Sequence, residues 1–131
     1  MTRYLVAYLA VTVVLVTLDM LWLRGIATDW YQQGIGHLMA PRAKLTAAAL
    51  FYLLFPVGLM IFAVSPTLLS PWWKAAGLGA MFGFFAYATY DLSNLATLKD
   101  WPLSLSVIDM AWGSVVSGVS AVAGRAAANA F

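Results

Sequence analysis

The sequence has no cysteine, a single histidine and few charges. Without cysteine, disulfide frameworks, thiol catalysis, iron–sulfur clusters and Cys-type zinc sites are excluded, and nothing about redox compartment follows. Glutamate is missing too, so all five acids are aspartates. Charged residues make up 9% of the 131 positions and hydrophobic residues 63%, against roughly 25% and 45 to 50% in soluble domains. A chain this short has too little interior to hide so many Leu, Val, Phe and Trp side chains from water. The composition is that of an integral membrane protein, one compact all-α domain over residues 1–131. Its net charge of +2 comes from basic residues spread singly along the chain. They read as flanks anchoring helices at lipid headgroups, so the expected partner is the bilayer and not nucleic acid.

Four apolar runs predict a four-transmembrane-helix bundle, with helices at about residues 4–23, 45–64, 74–95 and 103–123, each near the roughly 20 residues needed to span. The first follows Arg3, as a signal peptide would, but it is long enough to span and lacks a small-residue cleavage site after it. Arg24 and Gly25 are expected to end it. Residues 26–43 combine Asp29, Trp30, Tyr31, Gln32, Gln33, Gly34, Gly36, His37, Pro41 and Arg42, and read as the longest loop. Pro56 and Gly58 predict a kink in the second helix. Gly77, Gly79 and Gly83 give the third helix a close-packing face, and Gly113, Ser114, Ser117, Gly118 and Ala121 give the fourth another. Such faces also offer a route to a homo-oligomer. Asp100 with Pro102 resembles a helix start, and the Ala-rich tail beyond Arg125 is expected to fray.

With four spans, the N-terminus, the second connection and the C-terminus share one side, and the first and third connections share the other. Basic residues are nearly balanced, with Arg3, Lys74 and Arg125 on the first side and Arg24, Arg42, Lys44 and Lys99 on the second. They do not fix orientation.

Three acids interrupt the apolar runs: Asp19 in TLDMLW, Asp91 in TYDLSN and Asp109 in VIDMAW. Counted from their helix ends at 1.5 Å per residue, all three lie roughly 6 to 12 Å inside the same face of the membrane. A carboxyl at that depth is expensive, and three exceed what packing needs. Spacing of three residues sets Trp22 beside Asp19, Asn94 beside Asp91 and Trp112 beside Asp109, with Tyr87 one turn before Asp91. These seven residues are the candidate ligand- or proton-binding set, expected to face one polar-lined cavity. Lys and Arg are absent from the spans, so at least one of the acids is expected to hold a proton unless a cation binds.

YDLSNLATLKDW followed by DMAWG, with DMLW in the first helix and Trp30–Tyr31 after it, resembles the bacterial membrane-protein family called domain of unknown function 2177, over essentially the whole chain. That resemblance implies a small, multi-pass, four-helix protein of the inner (cytoplasmic) membrane and brings no established activity.

The residues leave several roles open. The acids can act as polar glue between helices or as a site that binds or transports a small cation, a proton or an amphipathic molecule. Chain length and an acid in the first helix are similar to small multidrug-resistance exporters, although the acid there is a Glu nearer the helix start. A membrane-lipid-modifying enzyme or accessory subunit, with Asp91 or Asp109 as general acid/base and Asn94 and Tyr87 orienting the substrate, needs a nucleophile or cofactor that the sequence does not offer. A structural or assembly role would use the glycine faces. One His with three Asp at unrelated spacings is no metal motif, and no cofactor is expected. Trp30, Trp72, Trp73 and Trp101 read as interfacial belt residues.

Overall fold

A computed structural model describes residues 1–131. Five α-helices account for most of the chain: α1 (Thr2–Leu21), α2 (Thr28–Ile35), α3 (Leu45–Leu59), α4 (Trp72–Thr97) and α5 (Leu103–Ala130). There are no strands. Three continuous segments are long and apolar enough to cross a membrane: Thr2–Ile26, Leu45–Thr67 and Leu103–Ala130. At 26 residues α4 has the length, but Gly, Tyr, Thr, Ser, Asn and Asp91 dilute its apolar character below that of the other three.

The spanning segments do not segregate polar from apolar faces, as expected where lipid replaces water. In α1 the buried residues are Ala7, Val11, Leu15 and Asp19, one every four positions, while Leu5, Leu9, Val13 and Leu21 point outward. α5 is the most enclosed helix and packs most extensively on α4, then on α1. A Cβ on Gly79 would press on Ala121, the Ser117 carbonyl and Gly118, and one on Gly83 would strike the Gly113 carbonyl and the Ser117 side chain. The small-residue faces of α4 and α5 therefore meet each other, backbone against backbone. Gly77 is the exception, since a Cβ there meets nothing; it lies off the contact. On its other side α5 brings Gly124 against Val11 and Val64.

Four hydroxyls in or beside the apolar interior are returned to their own helix, while the buried Ser117 hydroxyl has no partner. Ser106, Ser120, Thr67 and Thr12 each donate to the carbonyl four residues earlier, at 3.0, 2.6, 2.6 and 2.8 Å.

One end is tied by polar contacts between distant parts of the chain. Arg3 donates to Asn129 at 3.1 Å, Asn129 to the Leu68 carbonyl at 3.1 Å, and Arg125 to the carbonyls of Thr67, at 3.0 Å, and Ser70. The start of α1, the 65–71 connection and the end of α5 thus lie together. These bonds keep the Ala-rich tail helical to Ala130 instead of frayed.

Three other expectations change. α1 does not stop at Arg24 and Gly25; it widens into a π-helical turn over Trp22–Ile26, where the Ala27 N–H reaches back five residues to the Trp22 carbonyl at 2.7 Å. Residues 26–43 are no simple loop, because Thr28–Ile35 forms α2, and Gly34 lets it lie on Pro102 and Leu105. After Pro56 the second segment changes its winding: the missing proline N–H is followed by a π-helical turn at Met60–Val64.

Candidate functional site

The end opposite the Arg3–Asn129 tie holds the acids. Asp19 closes the buried stripe of α1, and the π-helical turn after it swings Trp22 inward and sends the chain back through α2. Thr28 fixes that return by donating to the Leu23 carbonyl at 2.6 Å. The consequence is that Tyr31, midway along α2, projects between α1 and α5.

Asp19 accepts two bonds, from the Tyr52 hydroxyl at 2.7 Å and from the Trp112 indole N–H at 2.9 Å. Asp109 accepts the Tyr31 hydroxyl at 2.5 Å, and Tyr31 in turn receives the Trp22 N–H at 3.4 Å. The expected pairing within each helix is therefore exchanged across helices. Trp112 of α5 serves Asp19 of α1, and Trp22 serves Asp109 only through Tyr31. The two indoles stack with centroids 4.4 Å apart and planes 4° from parallel, which brings the two acid arms together.

Between them lies a cavity of about 440 Å³, bounded by Asp19, Trp22, Tyr31, Tyr52, Tyr87, Asp109 and Trp112, with Leu23, Phe51, Ala86 and Tyr90 completing the wall. This is the size of a small-molecule site. α3 and α4 pack closely toward the Pro66–Pro71 end through Met60–Val64 and the Phe62–Phe82 and Phe55–Phe82 ring pairs. Toward the acids their direct contact thins, and Leu45–Leu54 is largely exposed. The cavity occupies the resulting gap.

Asp91 is brought to the cluster but not into the cavity. Its residue is 0% exposed, and neither carboxyl oxygen has a donor. Tyr87 over Gly113 and Gly79 against Ala121 set the register of α4 on α5, and one turn beyond Tyr87 this register puts Asp91 opposite Asp109. Tyr87 does not bond to Asp91 as spacing suggested; its ring packs over Gly113 and borders the cavity. Asn94 stays out of the cavity, half-buried, and its backbone carbonyl accepts from Leu98 at 2.8 Å. The acids do not converge as a metal-binding group. His37 instead lies 3.4 Å from Asp100 on the exposed connections, and no Lys or Arg is within ion-pair distance of an aspartate. The cluster has no cationic partner.

Tyr31 and Tyr52 are the residues that helical spacing missed, since both donors come from elements without acids. Tyr52 had a usable signal, being a phenol inside an otherwise hydrocarbon helix at the depth of the acids. Tyr31 had none once residues 26–43 were read as loop. Burial, and then the nearby Asp109 charge, hold the Tyr31 hydroxyl well above the ordinary tyrosine range, so it acts as a donor.

Residues 4–126 match the family described as "Predicted membrane protein (DUF2177)". The chain belongs to this family. The match takes in every element of the site, from Asp19 to Trp112. No curated protein and no solved structure matches the chain.

Proposed function

We propose that this DUF2177 protein is a multi-pass membrane protein whose aromatic cavity binds an amphipathic cation through Asp19 and Asp109. Four helices would span, α4 entering the bilayer because Asp91 and Tyr87 face α5 and the acid cluster, while the outward hydroxyls of Thr89 and Thr97 are given back to carbonyls of their own helix. Arg3, the 65–71 connection and Arg125 would then share one membrane face, with the cavity near the other; the contacts tying those three regions support this arrangement.

The observation that carries the reading is a cavity walled by two carboxyls and seven aromatic rings with no Lys or Arg paired to either acid. Carboxylates supply charge, and Trp and Tyr faces attract cations at close range. Desolvation makes two unpaired acids costly to the empty protein, so a cation gains from both. The gap between α3 and α4 suits a ligand with an apolar portion extending toward lipid. A catalytic reading has less support: Asp109 and Tyr87, two of its candidate groups, line the cavity, but Asp91 and Asn94 do not.

Equilibrium dialysis of the full-length protein in detergent tests the reading with tetraphenylphosphonium, a permanent cation, against neutral triphenylphosphine oxide of similar shape. Saturable binding of the cation only, weakened in Asp19→Asn and Asp109→Asn, is expected. Equal uptake of both probes would refute it.

A further inference from the structure

Asp91 poses a problem that the cavity alone does not solve. It is completely enclosed, both oxygens lack a donor, and the register of α4 on α5, with Tyr87 over Gly113, sets its carboxyl opposite that of Asp109. Two carboxylates in that contact would repel, and each would be an unsatisfied acceptor in an apolar surrounding. One proton held between them removes both penalties, because a protonated carboxyl is a donor to its neighbour. No side chain donates to Asp91 in that position. The titratable groups facing the pair are Asp19 of α1, Tyr31 of α2, and Tyr87 and Tyr90 of α4, with Tyr52 of α3 across the cavity on Asp19. The hydroxyls of Tyr31 and Tyr52 are already given to Asp109 and Asp19. No lysine, arginine or histidine is among these groups.

Asp109 is shared between this pair and the cavity wall, and that makes the two sites communicate. We infer that Asp91 and Asp109 form a one-proton site behind the cavity, and that a cation entering the cavity is exchanged for that proton. The inference rests on the cation-binding reading above. A positive charge beside Asp109 does for the carboxylate pair what the proton does, so the two compete. At about 5 Å and an effective dielectric constant of about 20, Coulomb attraction weakens proton binding by on the order of a hundredfold. The balance is simple: the cation enters, the O–H bond of the shared carboxyl breaks, and the proton leaves to solvent. Asp91 is a positioning and proton-holding residue, since it does not touch the ligand.

The test counts protons. Tetraphenylphosphonium, which has no proton of its own to lose, is titrated into full-length protein by calorimetry in buffers of different ionisation enthalpy. The expected result is release approaching one proton per bound cation, with Kd falling by up to about tenfold per pH unit while the pair is protonated and levelling above that range. In Asp91→Asn the amide donates to Asp109 in place of the proton, so the cation should bind with no release and little pH dependence. Cation binding with no proton released by the wild-type protein at any pH at which it is folded overturns the exchange and leaves the binding reading standing. Absence of binding overturns the binding reading. The proton site is then decided by infrared spectroscopy: a protonated-carboxyl C=O band in the unliganded protein that Asp91→Asn removes upholds it, and its absence from the wild type rejects it. The wild-type count and band do not depend on the variant folding.

Discussion

Replacing Gly83 by alanine separates two effects that usually travel together. Inside a helix alanine is favoured over glycine by roughly 1 kcal/mol, so a glycine with open space around it should be improved by the change. Gly77 is such a position, since a Cβ there meets nothing within 4 Å. A Cβ on Gly83 runs into the Gly113 carbonyl oxygen and Ser117. The carbonyl belongs to the backbone of α5 and cannot rotate away, so the two helices must part. Overpacking of this kind costs about 1–3 kcal/mol. Gly77→Ala is therefore expected to stabilise by about 1 kcal/mol and Gly83→Ala to destabilise by about 0–2 kcal/mol once the propensity gain is subtracted. Reversible unfolding of both variants in mixed micelles measures the gap directly. Equal stabilities would refute the backbone-to-backbone contact of α4 and α5, and with it the placement of Asp91 against Asp109.

Other outcomes follow from the site and from its opposite end. Trp112→Phe keeps the ring stacked on Trp22 but removes the N–H given to Asp19, and should lower unfolding free energy by about 1–3 kcal/mol with helix content unchanged; an unaltered stability would contradict that bond. Arg125→Ala removes the bonds to the Thr67 and Ser70 carbonyls and should destabilise by a similar amount, about 1–3 kcal/mol, while leaving tetraphenylphosphonium affinity unchanged. Because the folded Tyr31 hydroxyl lies above its unfolded value, the stability it contributes is complete below about pH 10 and is lost as pH rises further. Phenolate absorbance should accordingly be the same in wild type and Tyr31→Phe up to about pH 11, and a phenol missing from the variant's titration in that range would contradict the buried position.

Much of the fold was legible because lipid exposure and close packing leave strong marks on sequence. Apolar runs located the long helices to within a few residues, and the glycines of α4 and the small residues of α5 predicted faces that meet each other. Where prediction failed, the cause was a contact between distant segments. In residues 28–35 the helix signal of Asp29 in the first turn is offset by Gly34, ordinarily a breaker; α2 is held because Gly34 fits against Pro102 and because Tyr31 reaches Asp109. The tail beyond Arg125 remains helical because Arg125 and Asn129 find carbonyls in the 65–71 connection. The acids showed the same division. That they gather at one end of the bundle was legible from the order of the helices, whereas their partners were not, because spacing along one helix cannot foresee that Trp112 bonds to Asp19 or that Asp91 faces another carboxyl and no donor. Asn94 lies one turn beyond Asp91 in α4, as its spacing implies, but it does not donate to that carboxyl.

The central claim, that Asp19 and Asp109 give the aromatic cavity its preference for cations, is tested most directly by tetraphenylphosphonium affinity in the Asp19→Asn, Asp109→Asn double variant. One carboxylate at about 5 Å contributes about 3 kcal/mol at an effective dielectric constant of about 20. Removing both charges while keeping the cavity's shape should therefore weaken binding by at least about a hundredfold and abolish the preference over triphenylphosphine oxide. A folded double variant that binds the cation as tightly as the wild type would contradict the account.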